Sequence, residues 1–328
     1  MNINLTTYCN LKCPYCFAKD LWRTAGTKID DRELSFKNLK IVMRFMKKSG
    51  EHTFRMFGGE PTLHPRFEEI YSLVSRSGFD VELYTNGIID GKKIEFLSKQ
   101  KNLKGVCLNV QHPDDYSLKQ RDILKNTLSR LGSSISLSFV IYKADFDISF
   151  IRALIRQYNL RKLVKISFAT PCYEHKNVFL RLDDHRKVIC RFVRQSRQFK
   201  KDGVCFYPDT SFMWCYFTEK QLGELYDNVR FRPANLCRPA LEIVPNLSVF
   251  RCYGTASLSD PALKITRFKN EKEIYEYFMK KEMHLKAVGI FDKCFKCELK
   301  NDTCGAGCLV SVVKSLARTR QVRKSYVY

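Results

Sequence analysis

The sequence predicts an α/β fold, a partial (β/α)6 barrel followed by a small cysteine-rich C-terminal domain. Three observations predict it. Strand-like and helix-like stretches alternate six times up to Gly203, the pattern of parallel strands joined by helical crossovers. Four loops rich in cysteine, glycine or amide side chains each follow a predicted strand. They therefore share one mouth of the sheet, where such barrels carry their chemistry. After Lys201-Asp202-Gly203 the helical periodicity weakens and cysteines become dense, which sets a boundary between a barrel at 1–203 and a second domain at 204–328.

The elements follow in order. Residues 2–7 read as a strand that runs into Cys9-Asn10-Leu11-Lys12-Cys13-Pro14-Tyr15-Cys16. Residues 34–48 carry an apolar stripe at helical spacing. A strand at 53–57 ends at Gly58-Gly59. A proline start and the Gly78 stop bound a helix at 65–77. The strand at 80–84 meets an Asn86-Gly87 turn. Next come a helix at 94–101, a strand at 105–110, a helix at 118–131 and a strand at 135–142. A helix at 148–158, a strand at 163–168 and a long basic helix at 183–201 complete the barrel. Farther on, 240–244 and 248–251 read as a hairpin about Pro245-Asn246, with Cys237 and Cys252 at its open ends. Residues 271–281 read as a helix.

Composition bounds the function. At 328 residues and 45% hydrophobic, the chain can bury a large core. Its 57 basic and 34 acidic residues give a net charge of +23, which predicts an acidic partner (nucleic acid, an anionic surface or an acidic peptide) or simply a solvated basic surface. Basic residues are densest at 181–201 and 318–324. No signal peptide and no apolar run of about 18 residues is present, so a cytoplasmic protein without a membrane partner is expected. Fourteen cysteines in such a chain favour metal ligation over disulfides. Cys107, Cys172, Cys190 and Cys205 are scattered singly and read as small core residues.

Cys9, Cys13 and Cys16 stand at C-x3-C-x2-C. Three thiolates in one short loop can hold three irons of a cubane cluster and leave the fourth open; a zinc knuckle is the other reading of the spacing. With Tyr15 before the last cysteine, the loop resembles the signature of the radical S-adenosylmethionine (radical SAM) enzymes. Gly58-Gly59-Glu60-Pro61 is similar to that family's second motif, and the two occur in the family's order. The resemblance implies a TIM-like partial barrel. It implies a [4Fe–4S] cluster on Cys9, Cys13 and Cys16, whose open iron takes the amine and carboxylate of S-adenosyl-L-methionine. It places Gly58 and Gly59 at the methionine end, Glu60 on the amine and Tyr15 by the adenine. Asn86 joins the cofactor-binding set, and Asn109 or Gln111 stands where relatives place Ser and Asp against the ribose. Bland readings stand beside these. Gly58–Pro61 and Asn86-Gly87 also suit plain turns, His64 and His112 suit turns before Pro65 and Pro113, and Tyr15 suits packing.

The C-terminal half resembles the SPASM extension of radical SAM enzymes that act on peptides and proteins. The resemblance rests on the hairpin pair Cys237 and Cys252 and on the run Cys294, Cys297, Cys304 and Cys308. It implies one or two auxiliary [4Fe–4S] clusters. One would use Cys237, Cys252 and Cys308 with Cys215, and the other Cys294, Cys297 and Cys304. The sequence departs twice from the family pattern. Leu247 replaces a glycine, and no cysteine follows Cys308. A zinc site at Cys294, Cys297, Cys304 and Cys308 is the alternative.

The function so implied is reductive cleavage of S-adenosylmethionine to a 5′-deoxyadenosyl radical. That radical abstracts hydrogen from a peptide or protein substrate, possibly acidic, for crosslinking, epimerisation or oxidation. A one-electron donor such as a flavodoxin or ferredoxin would feed the cluster. No leader-binding domain is expected ahead of the barrel, so a separate leader-binding protein is a possible partner. A small molecule or RNA is the alternative substrate. A zinc-containing nucleic-acid-binding protein is the reading from another class.

Overall fold

Seven parallel strands in chain order make the wall of the barrel, because each strand returns through a crossover to the edge of its predecessor. They are β1 (Asn2–Thr6), β2 (Thr53–Gly58), β3 (Asp80–Thr85), β4 (Leu103–Asn109), β5 (Ile135–Ile141), β6 (Leu163–Phe168) and β7 (Cys205–Pro208). This computed structural model describes residues 1–18, 32–172, 176–209, 213–230, 237, 240–260, 262–300, 302 and 304–318. The basic stretch expected at 318–324 lies, after residue 318, outside them. The crossover helices are α1 (Phe36–Lys48), α2 (Phe67–Arg76), α3 (Gly91–Ser98), α4 (Leu118–Leu131), α5 (Ser149–Gln157) and α6 (His185–Lys201). Their starts are written in the sequence. Ser35 and Asp90 cap α1 and α3, and Ser117 with Gln120 forms a reciprocal capping box on α4.

The α/β fold with a parallel sheet is as expected. Cross-strand register explains its two faces. Met56 pairs with Leu83 and Leu137 with Val164, and these side chains are fully buried. Arg55 pairs with Glu82, Tyr84 with Cys107 and Ser138 with Lys165 on the alternate positions. Alternation along a strand sends these to the opposite, less buried face, so the lumen carries the charge.

Two features differ from expectation. The sheet does not stop at Gly203, since β7 pairs with β6 beyond it; four residues ending in proline are too short to show periodicity. The hairpin is present, but its strands are only β8 (Glu242–Ile243) and β9 (Val249–Phe250). It extends the barrel sheet, because β8 pairs parallel with β1 and gives the order β7-β6-β5-β4-β3-β2-β1-β8-β9. Asn2 and Asn4 donate to Glu242 at 2.7 and 3.2 Å, and Asn4 also donates to the Ile243 carbonyl at 3.1 Å. The rest of the C-terminal half adds α7 (Glu219–Leu225), α8 (Glu271–Val288) and α9 (Leu309–Arg318). No described helix is long and apolar enough to cross a membrane.

Two predictions follow from the hairpin. Leu247 occupies its turn at φ 71°, a left-handed conformation that costs a side-chain-bearing residue about 1–2 kcal/mol, yet its side chain is buried. Alanine there loses the burial and keeps the strain, whereas glycine loses the burial and relieves it. Chemical denaturation should rank Leu247→Gly above Leu247→Ala by about 1 kcal/mol, the inverse of the order usual within regular elements. Burial lifts the Glu242 carboxyl to about 7 against the donation from Asn2 and Asn4. The folded state thus binds a proton between the ordinary 4.5 and about 7. Its stabilising effect is complete below that window and declines as pH rises through it. Glu242→Gln should therefore be less destabilising at about pH 8 than at about pH 5, as read from unfolding midpoints.

Candidate cluster-binding site at the barrel mouth

β1 feeds the chain into the cysteine loop, and the ends of β2, β3 and β4 close around it. A turn brings the Cys16 amide to the Cys13 carbonyl at 3.1 Å. The thiols of Cys9, Cys13 and Cys16 interact electrostatically with one another. Burial pushes the Cys13 thiol up to about 12, and Cys16 and Cys9 add to the shift. Desolvated thiols that disfavour one another's ionisation are a poor set of free acids. They are a good set of ligands, because a cationic metal core offsets both penalties. The donor set fits an iron–sulfur cluster.

Amide side chains from the strand ends hold the loop. Gln111 Nε2 donates to Cys13 Sγ at 3.0 Å, and Asn86 Nδ2 lies 3.6 Å from Cys9 Sγ and 2.8 Å from Asn10 Oδ1. Asn109 Nδ2 donates to the Tyr15 hydroxyl at 3.0 Å. Tyr15 itself is buried, with its ring 5.1 Å from that of Tyr142. Tyr15, expected by the adenine, Asn109 and Gln111, expected at the ribose, and Asn86, expected in the cofactor-binding set, are thus gathered around the cysteine loop, where they brace it.

The Gly-Gly-Glu-Pro stretch makes close backbone contacts of its own. A Cβ on Gly58 would stand 2.5 Å from the Thr6 carbonyl oxygen, and one on Gly59 would stand 2.2 Å from that of Tyr8. The close approach that demands glycine here is by the backbone entering the cysteine loop. Gly59 and Glu60 amides donate to the Thr6 and Tyr8 carbonyls at 2.9 and 2.7 Å. Glu60 is fully buried. Its carboxylate accepts from the Thr62 amide and hydroxyl (3.2 and 2.7 Å), the Thr85 hydroxyl (2.9 Å to either oxygen) and the Asn86 amide (2.8 Å). With its oxygens so engaged, Glu60 ties the end of β2 to the end of β3.

Below the mouth the lumen is polar. Lys165 Nζ lies 3.1 Å from Asp209 Oδ1 and 5.4 Å from the centre of the Tyr84 ring, and Arg55 Nε lies 3.0 Å from Glu82 Oε2. Burial works against the Lys165 charge, but Asp209, Cys107 and Tyr84 hold its pKa above the usual value. The sequence analysis passes over these residues. The available signal was a lone charge between apolar neighbours in a strand, as in Phe54-Arg55-Met56 and Val164-Lys165-Ile166. Cys107 is no isolated core residue, since it faces this lumen.

The C-terminal cysteines fall into two neighbourhoods. Cys308 interacts with Cys237 and Cys252. There the buried Arg251 points Nη1 and Nη2 at Cys237 Sγ (3.5 and 3.6 Å) and pairs with Glu282 at 2.5 Å. Cys294, Cys297 and Cys304 belong to one knuckle, in which the Cys297 amide bonds the Cys294 carbonyl and the Lys300 amide bonds the Cys297 carbonyl. Cys215 interacts with Cys294 and Cys304, which corrects its expected place with the hairpin cysteines. The C-x2-C…C-x3-C run is thus divided, and a single zinc ion on Cys294, Cys297, Cys304 and Cys308 does not match this division. Among the described residues no three His, Cys, Asp or Glu side chains are drawn up to the distance one ion requires.

Residues 3–131, which span the cysteine loop, the Gly-Gly-Glu-Pro stretch and the first four strands, match the family model of the radical SAM superfamily. This segment is similar to a radical SAM domain. The superfamily implies a [4Fe–4S] cluster and S-adenosylmethionine at the mouth. Among curated relatives, 7,8-dihydro-6-hydroxymethylpterin dimethyltransferase of Methanocaldococcus jannaschii is 38% identical over 30% of this chain and 19% of its own. The cysteine-type anaerobic sulfatase-maturating enzyme of Clostridium perfringens is 28% identical over 55% of each chain. The chain therefore spans about half or less of these curated radical SAM relatives. Streptococcus suis SuiB has a similar fold. Bound to its precursor peptide SuiA, it superposes with a TM-score of 0.63 at 16% identity, over 95% of this chain and 72% of that one. Bound to S-adenosylmethionine it gives a TM-score of 0.65 at 14% identity.

Glu60 provides a test of how the radical SAM domain is held together. Glu60→Gln turns one acceptor into a donor against the Thr85 and Asn86 donors, a mismatch worth about 1–3 kcal/mol. Unfolding of the cofactor-free protein should show that loss. A residue that served only the cofactor amine would leave the cofactor-free stability unchanged.

Proposed function

We propose that this chain is a radical SAM enzyme that modifies a peptide or protein substrate held in the barrel lumen, with auxiliary iron–sulfur clusters in its C-terminal half. One observation carries the reading. The three thiols of a radical SAM loop are gathered at the mouth of a lumen lined by Arg55, Glu82, Tyr84, Lys165 and Asp209. When bound, the cluster and S-adenosylmethionine supply one-electron chemistry able to take hydrogen from an unactivated carbon. The residues of the chain do the rest. Gln111 and Asn86 direct N–H groups at the ligand sulfurs, which stabilises thiolate charge. Lys165 with Asp209 and Arg55 with Glu82 present both charge signs to the backbone or side chains of a substrate, which is orientation rather than reaction.

A peptide or protein substrate is supported by the names of two relatives, a sulfatase-maturating enzyme and a protein crystallised with its precursor peptide. The auxiliary clusters are supported by the two cysteine neighbourhoods and by Arg251, a buried cation beside Cys237 that suits an anionic cluster. The electron donor would be a small one-electron carrier such as a flavodoxin or ferredoxin. The second reading, a small-molecule substrate, is favoured by the likeness to a pterin dimethyltransferase.

Iron and sulfide per chain, measured after anaerobic reconstitution, test the cofactor content. Roughly 12 irons are expected, falling to about 8 in the variant Cys9→Ala, Cys13→Ala, Cys16→Ala, on four irons per cubane. Release of 5′-deoxyadenosine from the reconstituted protein, stimulated by short peptides and not by pterins or nucleotides, would support the substrate class. Stimulation by a pterin alone would replace it with the second reading.

A further inference from the structure

The knuckle of Cys294, Cys297 and Cys304 offers three thiols. The structure brings a fourth from the other side of the chain. Residues Trp214–Tyr216 form a 3₁₀ turn shortly after β7, and Asp292–Lys296 form the 3₁₀ turn that carries Cys294. The two turns are pressed together by the Tyr216 and Phe291 rings, which meet edge to face at 6.0 Å and 88°. Tyr216, Ile290, Cys294 and Ala306 belong to one buried cluster, with Phe291 and Cys304 packed on it. Cys215 itself is exposed, whereas Cys294 is buried.

We infer that Cys215 is the fourth cysteine ligand of the cluster held by Cys294, Cys297 and Cys304, supplied from the barrel side. The assignment rests on the auxiliary-cluster reading above and deepens it. An anchored turn and a compact knuckle would then supply between them the four thiolates that a closed cubane takes. Cys237, Cys252 and Cys308 then make a separate set, next to Arg251.

Thiol footprinting of the full-length protein tests this without relying on turnover. In the metal-free protein Cys215 and the exposed Cys190 should both react with iodoacetamide. After anaerobic loading with iron and sulfide, alkylation of Cys215 should fall about tenfold, since a metal-bound thiolate is no longer a free nucleophile, while Cys190 stays reactive. The single variant Cys215→Ser, loaded in the same way, should lose protection at Cys294, Cys297 and Cys304 and keep it at Cys237, Cys252 and Cys308. Loss of protection at the second group instead would overturn the assignment, as would a Cys215 that stays fully reactive in a loaded protein. The variant lacking Cys9, Cys13 and Cys16 separates the two levels. If it binds no iron, the auxiliary-cluster reading falls and the assignment with it. If it binds about 8 irons, only the footprint decides the ligand.

Discussion

The close backbone approach between β1 and the end of β2 is the constraint on which the mouth depends. Gly58 and Gly59 lie so near the Thr6 and Tyr8 carbonyls that no Cβ fits. Two amide bonds, from Gly59 and Glu60, fix that approach. Glu60 then reaches across to Thr85 and Asn86 and sets the end of β3. Asn86 passes the constraint to Asn10 and Cys9. A chain of short polar contacts thus runs from a glycine pair to a ligand sulfur. Its buried carboxylate is tolerable because protein donors replace the water it gave up.

The C-terminal half is built onto the same frame. β8 pairs parallel with the free edge of β1, so the hairpin turn after β8 and the cysteine loop after β1 leave the sheet at the same end. Tyr253 follows Cys252 directly and stacks on Phe17, which follows Cys16, with ring centroids 4.9 Å apart. Its hydroxyl bonds Asn4 on β1. The hairpin cysteine and the loop cysteine are therefore positioned through one aromatic contact and one strand pairing.

Much of this was legible in the sequence. The helix at 118–131 and the strand at 163–168 lie where pattern and capping place them, because long amphipathic elements carry strong periodicity. The cysteine loop and the Gly-Gly-Glu-Pro stretch were found at the right end of the sheet. Their contacts were not legible. A motif names which residues matter, but Gln111 on Cys13 and Glu60 on Thr85 are tertiary bonds between distant segments. β7 was hidden by its length, and the lumen charges by their isolation as single charged residues between apolar neighbours. The partner of Cys215 depends on the Tyr216–Phe291 packing, and no spacing rule encodes it.

The two C-terminal cysteine neighbourhoods interleave along the chain. Cys215 lies before Cys237, yet it meets Cys294 and Cys304, while Cys237 meets the later Cys308. Ligation at both neighbourhoods would close two overlapping loops of the chain. Closing a long loop costs entropy that grows only with the logarithm of its length, so the wide separation of Cys215 from Cys294 would add little to the cost of bringing them together.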